Sequence, residues 1–147
     1  MLARFLQRWC TLLGLQRQTP ASWHRARVRE ELAERHAARS TLERLSETSD
    51  VLFALARATH DGYPLRRLPR RTGICSYAPY AYMLAKYSTR ASFYRVAGRL
   101  CGVKGVKEVV NPAKDSKLDE VAARHGIEKD KLRRVGGMLR RVWPLLP

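Results

Sequence analysis

The sequence predicts an all-α fold, a small multi-helix domain of five or six helices. Apolar residues recur at helical spacing in several separate stretches, as at Tyr80, Met83, Leu84 and Tyr87. Breaks and stop signals separate these stretches at Thr19-Pro20, Asp61-Gly62, Gly102, Asn111-Pro112 and Gly126. Strand character is confined to the valines at 103, 106, 109 and 110, a short run with no partner strand. A chain of 147 residues with 45% hydrophobic content is long enough for one modest core.

Residues 1–18 read as an amphipathic helix. Leu2, Phe5, Leu6, Trp9 and Leu13 fall on one face, and Arg4, Gln7, Arg8 and Thr11 on the other. The first acid is Glu30. An arginine-bearing, acid-free start of this kind suits a mitochondrial targeting segment, a helix lying in a membrane interface, or a first helix packed on the domain. Few serines precede Ser22, which counts against targeting, and the apolar run is too interrupted for a secretory signal.

Residues 22–147 then form a single helical domain. Ser22 is placed to cap a polar helix over 22–45. Within it, Arg27–Glu31, Glu31–Arg35 and Arg39–Glu43 are i,i+4 pairs of opposite charge, worth ~0.3 kcal/mol each. Its apolar positions, Val28, Leu32, Leu42 and Leu45, are sparse, so it should lie across the surface or project as an arm. The Ser46-Glu47-Thr48-Ser49-Asp50 cluster reads as a turn and cap. A short helix within 46–60 follows, burying Leu52, Phe53, Leu55 and Ala56. Residues 61–76 read as an extended basic loop, with Pro64, Pro69 and Gly73 spaced among Arg66, Arg67, Arg70 and Arg71.

Residues 77–102 read as an aromatic helix pair joined at Ser88. Pro79 suits a first turn. Tyr80, Met83, Leu84 and Tyr87 make one stripe, and Phe93, Val96, Ala97, Leu100 and Cys101 make the other, both directed at Phe53 and Leu55. Residues 116–143 read as a second pair. Ser116-x-x-Asp119 is a capping-box variant, Leu118, Val121 and Ala122 point inward, and Gly126 ends the first helix. Ile127 packs in the turn, and Leu132, Val135, Leu139 and Val142 line the second helix. Ala122-x-x-x-Gly126-Ile127 followed by Leu132 resembles a helix-turn-helix, both the DNA-reading kind and the kind used for dimerisation in some O-methyltransferases. In a DNA reader the start of the second helix meets base edges. Here it carries Glu128 and Asp130, which repel phosphate, and Arg133, Arg140 and Arg141 come later. A structural role is therefore favoured over sequence reading.

The charge is strongly uneven. Lys and Arg number 29 against 13 Asp and Glu, a net charge of +16. Residues 1–29 contain six bases and no acid, and residues 62–107 contain ten bases and no acid. Between them, residues 30–61 hold seven acids and four bases. Acid-free basic zones point to anionic partners. The leading reading is a non-catalytic protein that binds RNA, DNA or a ribonucleoprotein. Arg66, Arg67, Arg70, Arg71, Lys86, Arg90, Arg95, Arg99 and Lys104 would contact phosphates, and Tyr77, Tyr80 and Tyr82 would stack on bases. The alternatives are a peripheral membrane protein anchored through Leu2, Phe5, Leu6, Trp9 and Leu13, or a helical adaptor for an acidic protein. Exposure of the three tyrosines would favour the first reading, and burial the others.

Nothing in the sequence points to a reaction. Cys10, Cys75 and Cys101 are widely spaced, and His24, His36, His60 and His125 show no metal-ligand spacing with them. There is no HExxH and no glycine-rich phosphate loop. No catalytic residue, metal or cofactor is expected. The cysteine pattern fits a reducing, intracellular compartment, mitochondrial by the N-terminus, with cytoplasmic or membrane-peripheral as alternatives. No apolar run reaches the ~20 residues of a spanning helix.

Ser22-Trp23-His24-Arg25, Ser46 to Val51, Tyr82-Met83-Leu84-Ala85-Lys86 and the ending Arg141 to Pro147 resemble a family of short, basic, uncharacterised fungal proteins. The resemblance implies no activity and transfers no site residue.

Overall fold

A computed structural model of the chain describes residues 1–65 and 77–143. All regular structure among these residues is helical, in agreement with the all-α expectation. The helices are α1 (Leu2–Leu13), α2 (Ala21–Ala37), α3 (Thr41–His60), α4 (Ala78–Leu100), α5 (Asp115–His125) and α6 (Lys129–Val142). The chain divides into two compact units, Met1–Leu84 and Ala85–Pro147.

In the first unit α1 packs on α3. Its buried face is Leu6, Trp9, Cys10 and Leu13, and the Trp9 ring meets Phe53 edge-on with centroids 5.9 Å apart. Edge-to-face pairs of this kind add about 0.5–1.5 kcal/mol beyond area burial. A link of three residues, 38–40, folds α3 back along α2. Val28 clusters there with Val51, Ala54 and Leu55.

The break between α2 and α3 falls at 38–40, not within 46–50 as expected. Ser40 forms a full capping box: its hydroxyl accepts from Glu43 N–H at 3.1 Å, and Glu43 Oε2 accepts from Ser40 N–H at 3.4 Å. Glu43 Oε2 also takes Arg39 N–H at 2.7 Å, so its carboxylate serves the helix end and not an i,i+4 pair with Arg39. The polar cluster at 46–50 is helix interior. There the Thr48 hydroxyl donates to Arg44 O and the Ser49 hydroxyl to Ser46 O, each at 2.6 Å. Such back-bonding satisfies the hydroxyls without ending the helix. Ser22 does not cap either, because α2 begins one residue earlier, after Pro20.

In the second unit Phe93, Tyr94 and Ala97 of α4 are fully buried with Leu118, Val121 and Ala122 of α5 and Leu132 and Leu139 of α6. The expected joint at Ser88 does not exist; α4 runs unbroken. No glycine or proline falls between Tyr80 and Ala97, and the neighbouring Thr89 hydroxyl donates back to Ala85 O at 2.7 Å. The valine run 103–110 forms no strand. It packs as irregular chain, with Val106 buried against Gly98. A Cβ on Gly98 would lie 2.4 Å from Val106 Cγ2, so only glycine admits the segment at this distance. Gly136 plays the same part on α6, where a Cβ would lie 2.7 Å from Leu118 Cδ1.

Gly126 ends α5 with a left-handed φ of 63°, and Ile127 N–H donates to Ala122 O at 2.9 Å. Helix α5 begins at Asp115 with no side-chain cap, so Ser116 and Asp119 do not form the expected box. Asp119 instead accepts Arg133 Nε at 2.7 Å and joins α5 to α6. Leu100 and Val142, expected in the core, lie exposed in the last turns of their helices.

Candidate functional site

The exposed cations of the second unit are its main chemical feature. Residues 85–147 contain nine more bases than acids. Four of the six carboxylates already hold partners. Glu108 binds Arg124 and His125, each at 3.1 Å. Asp115 binds Arg140 at 2.8 Å, Asp119 binds Arg133, and Glu120 binds Lys117 at 2.7 Å. Arg140 also donates to Pro112 O at 2.7 Å, which fastens the turn before α5 onto α6. Arg99, Lys104, Lys107, Arg134 and Arg141 are exposed, and among the described residues their side chains form no ion pair. Arg134 and Arg141 lie seven residues apart on the side of α6 opposite Leu132 and Leu139.

The residues expected to contact polyanions are distributed unevenly. Arg95, Arg99 and Lys104 are exposed. Lys86 and Arg90 are buried, because they share a helical face with Phe93 and Ala97 at i, i+4, i+7 and i+11. Their cationic ends flank Tyr87, with Lys86 Nζ 6.0 Å and Arg90 Cζ 5.4 Å from the ring centroid. Arg66, Arg67, Arg70 and Arg71 lie outside the described residues. Of the tyrosines expected to stack on bases, Tyr77 is 61% exposed, Tyr82 is half-buried, and Tyr80 is buried with its hydroxyl unpartnered. Burial pushes the Tyr80 hydroxyl pKa up. The second unit holds a further buried ring, Tyr94, whose pKa is raised by burial and by Glu108 against the opposing charges of Arg90, Arg124 and Arg140.

Helix α1 turns three of its five expected anchor residues, Leu6, Trp9 and Leu13, into the core. Leu2 is half-buried and Phe5 is 50% exposed. Its outer face carries Met1, Arg4, Phe5, Arg8 and Leu12, and Met1, Arg4, Phe5 and Arg8 line a hollow of about 540 Å³. No helix among the described residues is long and apolar enough to cross a membrane.

A buried polar hub lies at the end of α3. Asp61 Oδ2 accepts Gln18 N–H at 3.1 Å and Arg57 Nε at 3.3 Å, and Oδ1 faces His60 Nδ1 at 3.2 Å. The Asp61 carbonyl accepts Arg17 Nε at 2.9 Å, and Arg57 also donates to Gln16 O. His24 is buried beside Gln18 O at 3.1 Å and Asp61 Oδ2 at 3.5 Å, with Tyr63 against its ring. Burial pushes the Asp61 carboxyl pKa up, but the bonds from Gln18, His60 and Arg57 outweigh it and hold it below the ordinary value. The hub ties the segment between α1 and α2 to α3. Thr11 Oγ1 lies 3.2 Å from His60 Nε2, which places a hydroxyl, an imidazole and a carboxylate in line. Nucleophilic catalysis uses that order. Here the Thr11 hydroxyl proton is already given to Gln7 O at 3.0 Å, so it is not offered to His60.

Burial pushes the Cys10 thiol pKa up to about 11, with Arg57 opposing and Asp61 adding to the rise. Burial also raises that of Cys101, and Lys131, which donates to Cys101 O at 3.0 Å, opposes it.

Sequence reasoning missed the carboxylates at the seam of α2 and α3. One carboxylate oxygen from each of Glu31, Glu34 and Glu47 lies within 4.8 Å of the others. Glu31 is 1% exposed; its Oε1 pairs with Arg27, and its buried Oε2 has no partner. Burial raises its pKa to about 7; Arg27 opposes the rise, and Asp50, Glu34 and Glu47 add to it. The available signal was a Glu31/Glu34 pair at i,i+3 inside the acidic stretch of a basic chain. Reading Glu31 only as a surface partner for Arg27 and Arg35 concealed it; Arg35 in fact donates to Thr48 Oγ1 at 2.9 Å. No protein-family model, curated protein or solved structure matches this chain.

Proposed function

We propose that this chain is a non-catalytic basic protein that binds a polyanion, RNA or DNA, chiefly through phosphates. The observation that carries the reading is the set Arg99, Lys104, Lys107, Arg134 and Arg141, exposed and without an ion pair among the described residues while most acids of the same unit are already engaged. Exposed cations that no carboxylate holds in an ion pair are available to displace counterions from a phosphate backbone. Of the three tyrosines only Tyr77 is exposed, with Tyr80 buried and Tyr82 half-buried, so stacking has one open ring and phosphate contacts, which carry no sequence information, dominate. The arginines at 66, 67, 70 and 71 belong to the same proposal as further phosphate contacts.

The test is affinity for single-stranded RNA and duplex DNA at several salt concentrations, for the parent and for a variant with those five residues changed to glutamine. Log affinity should fall with log salt by about 0.7 per phosphate contacted on single strands. The variant should bind more weakly, with a slope flatter by up to ~3.5. Equal slopes would remove this surface from the function.

A second reading, association with an anionic membrane, is favoured by the outer face of α1. Arg4 and Arg8 sit there beside exposed Phe5 and Leu12, a pairing suited to anionic headgroups and the acyl boundary. Binding to anionic vesicles that is lost in Phe5→Ser/Leu12→Ser, with no nucleic-acid binding by the parent, would replace the first reading with this one.

A further inference from the structure

We propose that Glu31, Glu34 and Glu47 form a binding site for one hard, oxygen-preferring divalent cation such as Ca2+. Three carboxylates converge there from two helices that a three-residue link holds against each other. Glu31 and Glu34 stand one turn apart on α2, and Glu47 comes from α3. The Arg35–Thr48 hydrogen bond secures the seam next to Glu47.

Three glutamates with oxygens within 4.8 Å of one another repel, and in a chain of net charge +16 the buried one, Glu31, has many cations to turn to. Yet Glu31 Oε2 is buried with no donor, although its other oxygen holds Arg27. A buried carboxylate oxygen without a donor is costly, and native structures seldom leave one unsatisfied. Here the carboxylate with the orphaned oxygen is the one that meets Glu34 and Glu47. A cation satisfies that oxygen and offsets the repulsion among the three carboxylates.

The donor chemistry selects the class of ion. The set is all oxygen, with no imidazole or thiolate, which favours a hard cation over zinc or copper. Ca2+ accepts about six to eight oxygens in an irregular, partly aqueous shell, whereas Mg2+ demands near-ideal octahedral geometry and gives up its water reluctantly. Glu34 is exposed and Glu47 half-buried, so water completes the shell from the open side. Calcium bound here would pin α2 to α3 at mid-length, a task separate from nucleic-acid binding.

The test is calorimetric titration of nuclease-treated, metal-stripped full-length protein with CaCl2, repeated in excess MgCl2. Parent protein should bind one Ca2+, and Mg2+ should compete weakly. Glu34→Gln and Glu47→Gln should each weaken binding at least tenfold while keeping the parent's circular dichroism, since neither side chain is buried. In parallel, the melting temperature of the parent should climb with Ca2+ concentration, and that of the Glu34→Gln/Glu47→Gln double variant should not. No binding by the parent at millimolar Ca2+ overturns the proposal and leaves a proton shared among the carboxylates. Binding that both substitutions leave unchanged overturns it as well.

Discussion

Asp61 is a single carboxylate that takes hydrogen bonds from two parts of the chain, the Gln18 backbone and the last turn of α3 at Arg57 and His60. Charged hydrogen bonds in a buried setting contribute more than surface pairs such as Lys117–Glu120, which rarely exceed ~1 kcal/mol. Asp61→Asn keeps the shape and removes the charge, and should cost about 1–3 kcal/mol. It should also change the response to acid. The folded chain holds the Asp61 pKa below the ordinary carboxylate value of 3.8, whereas the unfolded chain restores it. The unfolded state therefore takes up the proton first as pH falls. Stability from ionised Asp61 is complete above the ordinary value and is lost as pH drops through the lowered one. Urea midpoints measured from neutral pH down to pH ~2 should fall more steeply for the parent than for Asp61→Asn. Parallel curves would show that the hub adds no pH-linked stability.

At the scale of the helix, the beginning of α3 depends on one side chain. Ser40→Ala removes the hydroxyl that accepts Glu43 N–H and should lower stability by about 1 kcal/mol, whereas Ser22→Ala and Ser116→Ala should stay within about 0.5 kcal/mol. Thermal melts of the three variants check the order. The same helices show what the sequence made legible. The helical period places Leu118, Val121, Ala122, Leu132 and Leu139 inward and they are buried, whereas Val135 and Val142 of the same stripe are half-buried and exposed. Ser40-Thr41-Leu42-Glu43 is a capping-box signature that the rival pair Arg39–Glu43 obscured, and Ser46 to Ser49 looked like a turn because a hydroxyl satisfies a cap or a carbonyl one turn back equally well. Gly98 and Gly136 carried no local signal, since the side chains that require them, Val106 and Leu118, lie eight and eighteen residues away. Among candidate site residues the limit was helical phase. Charge alone marked Lys86 and Arg90 as surface groups, while their register with Phe93 took them inside.

For the molecule as a whole, the segregation of charge was visible in the sequence and the identity of the free cations was not. Pairing in space decides that. Arg124, Arg133 and Arg140 are as basic as Arg99, Arg134 and Arg141, but carboxylates from other elements occupy them. The acidic stretch shows the opposite case, because folding α2 on α3 brings Glu47 to Glu31 and Glu34 across sixteen and thirteen residues of chain.

The two buried cysteines give each unit its own chemical clock. Cys10 lies in the core of the first unit and Cys101 in that of the second, and burial disfavours the thiolate of both. A thiol in that state reacts with an alkylating reagent only when its surroundings open. With Cys75→Ser to silence the third thiol, iodoacetamide labelling resolved by peptide mass should yield two separate opening rates. Each should be far slower than that of a free thiol, and each should rise with urea on its own curve. Coincident curves would show instead that residues 1–84 and 85–147 open as one cooperative body.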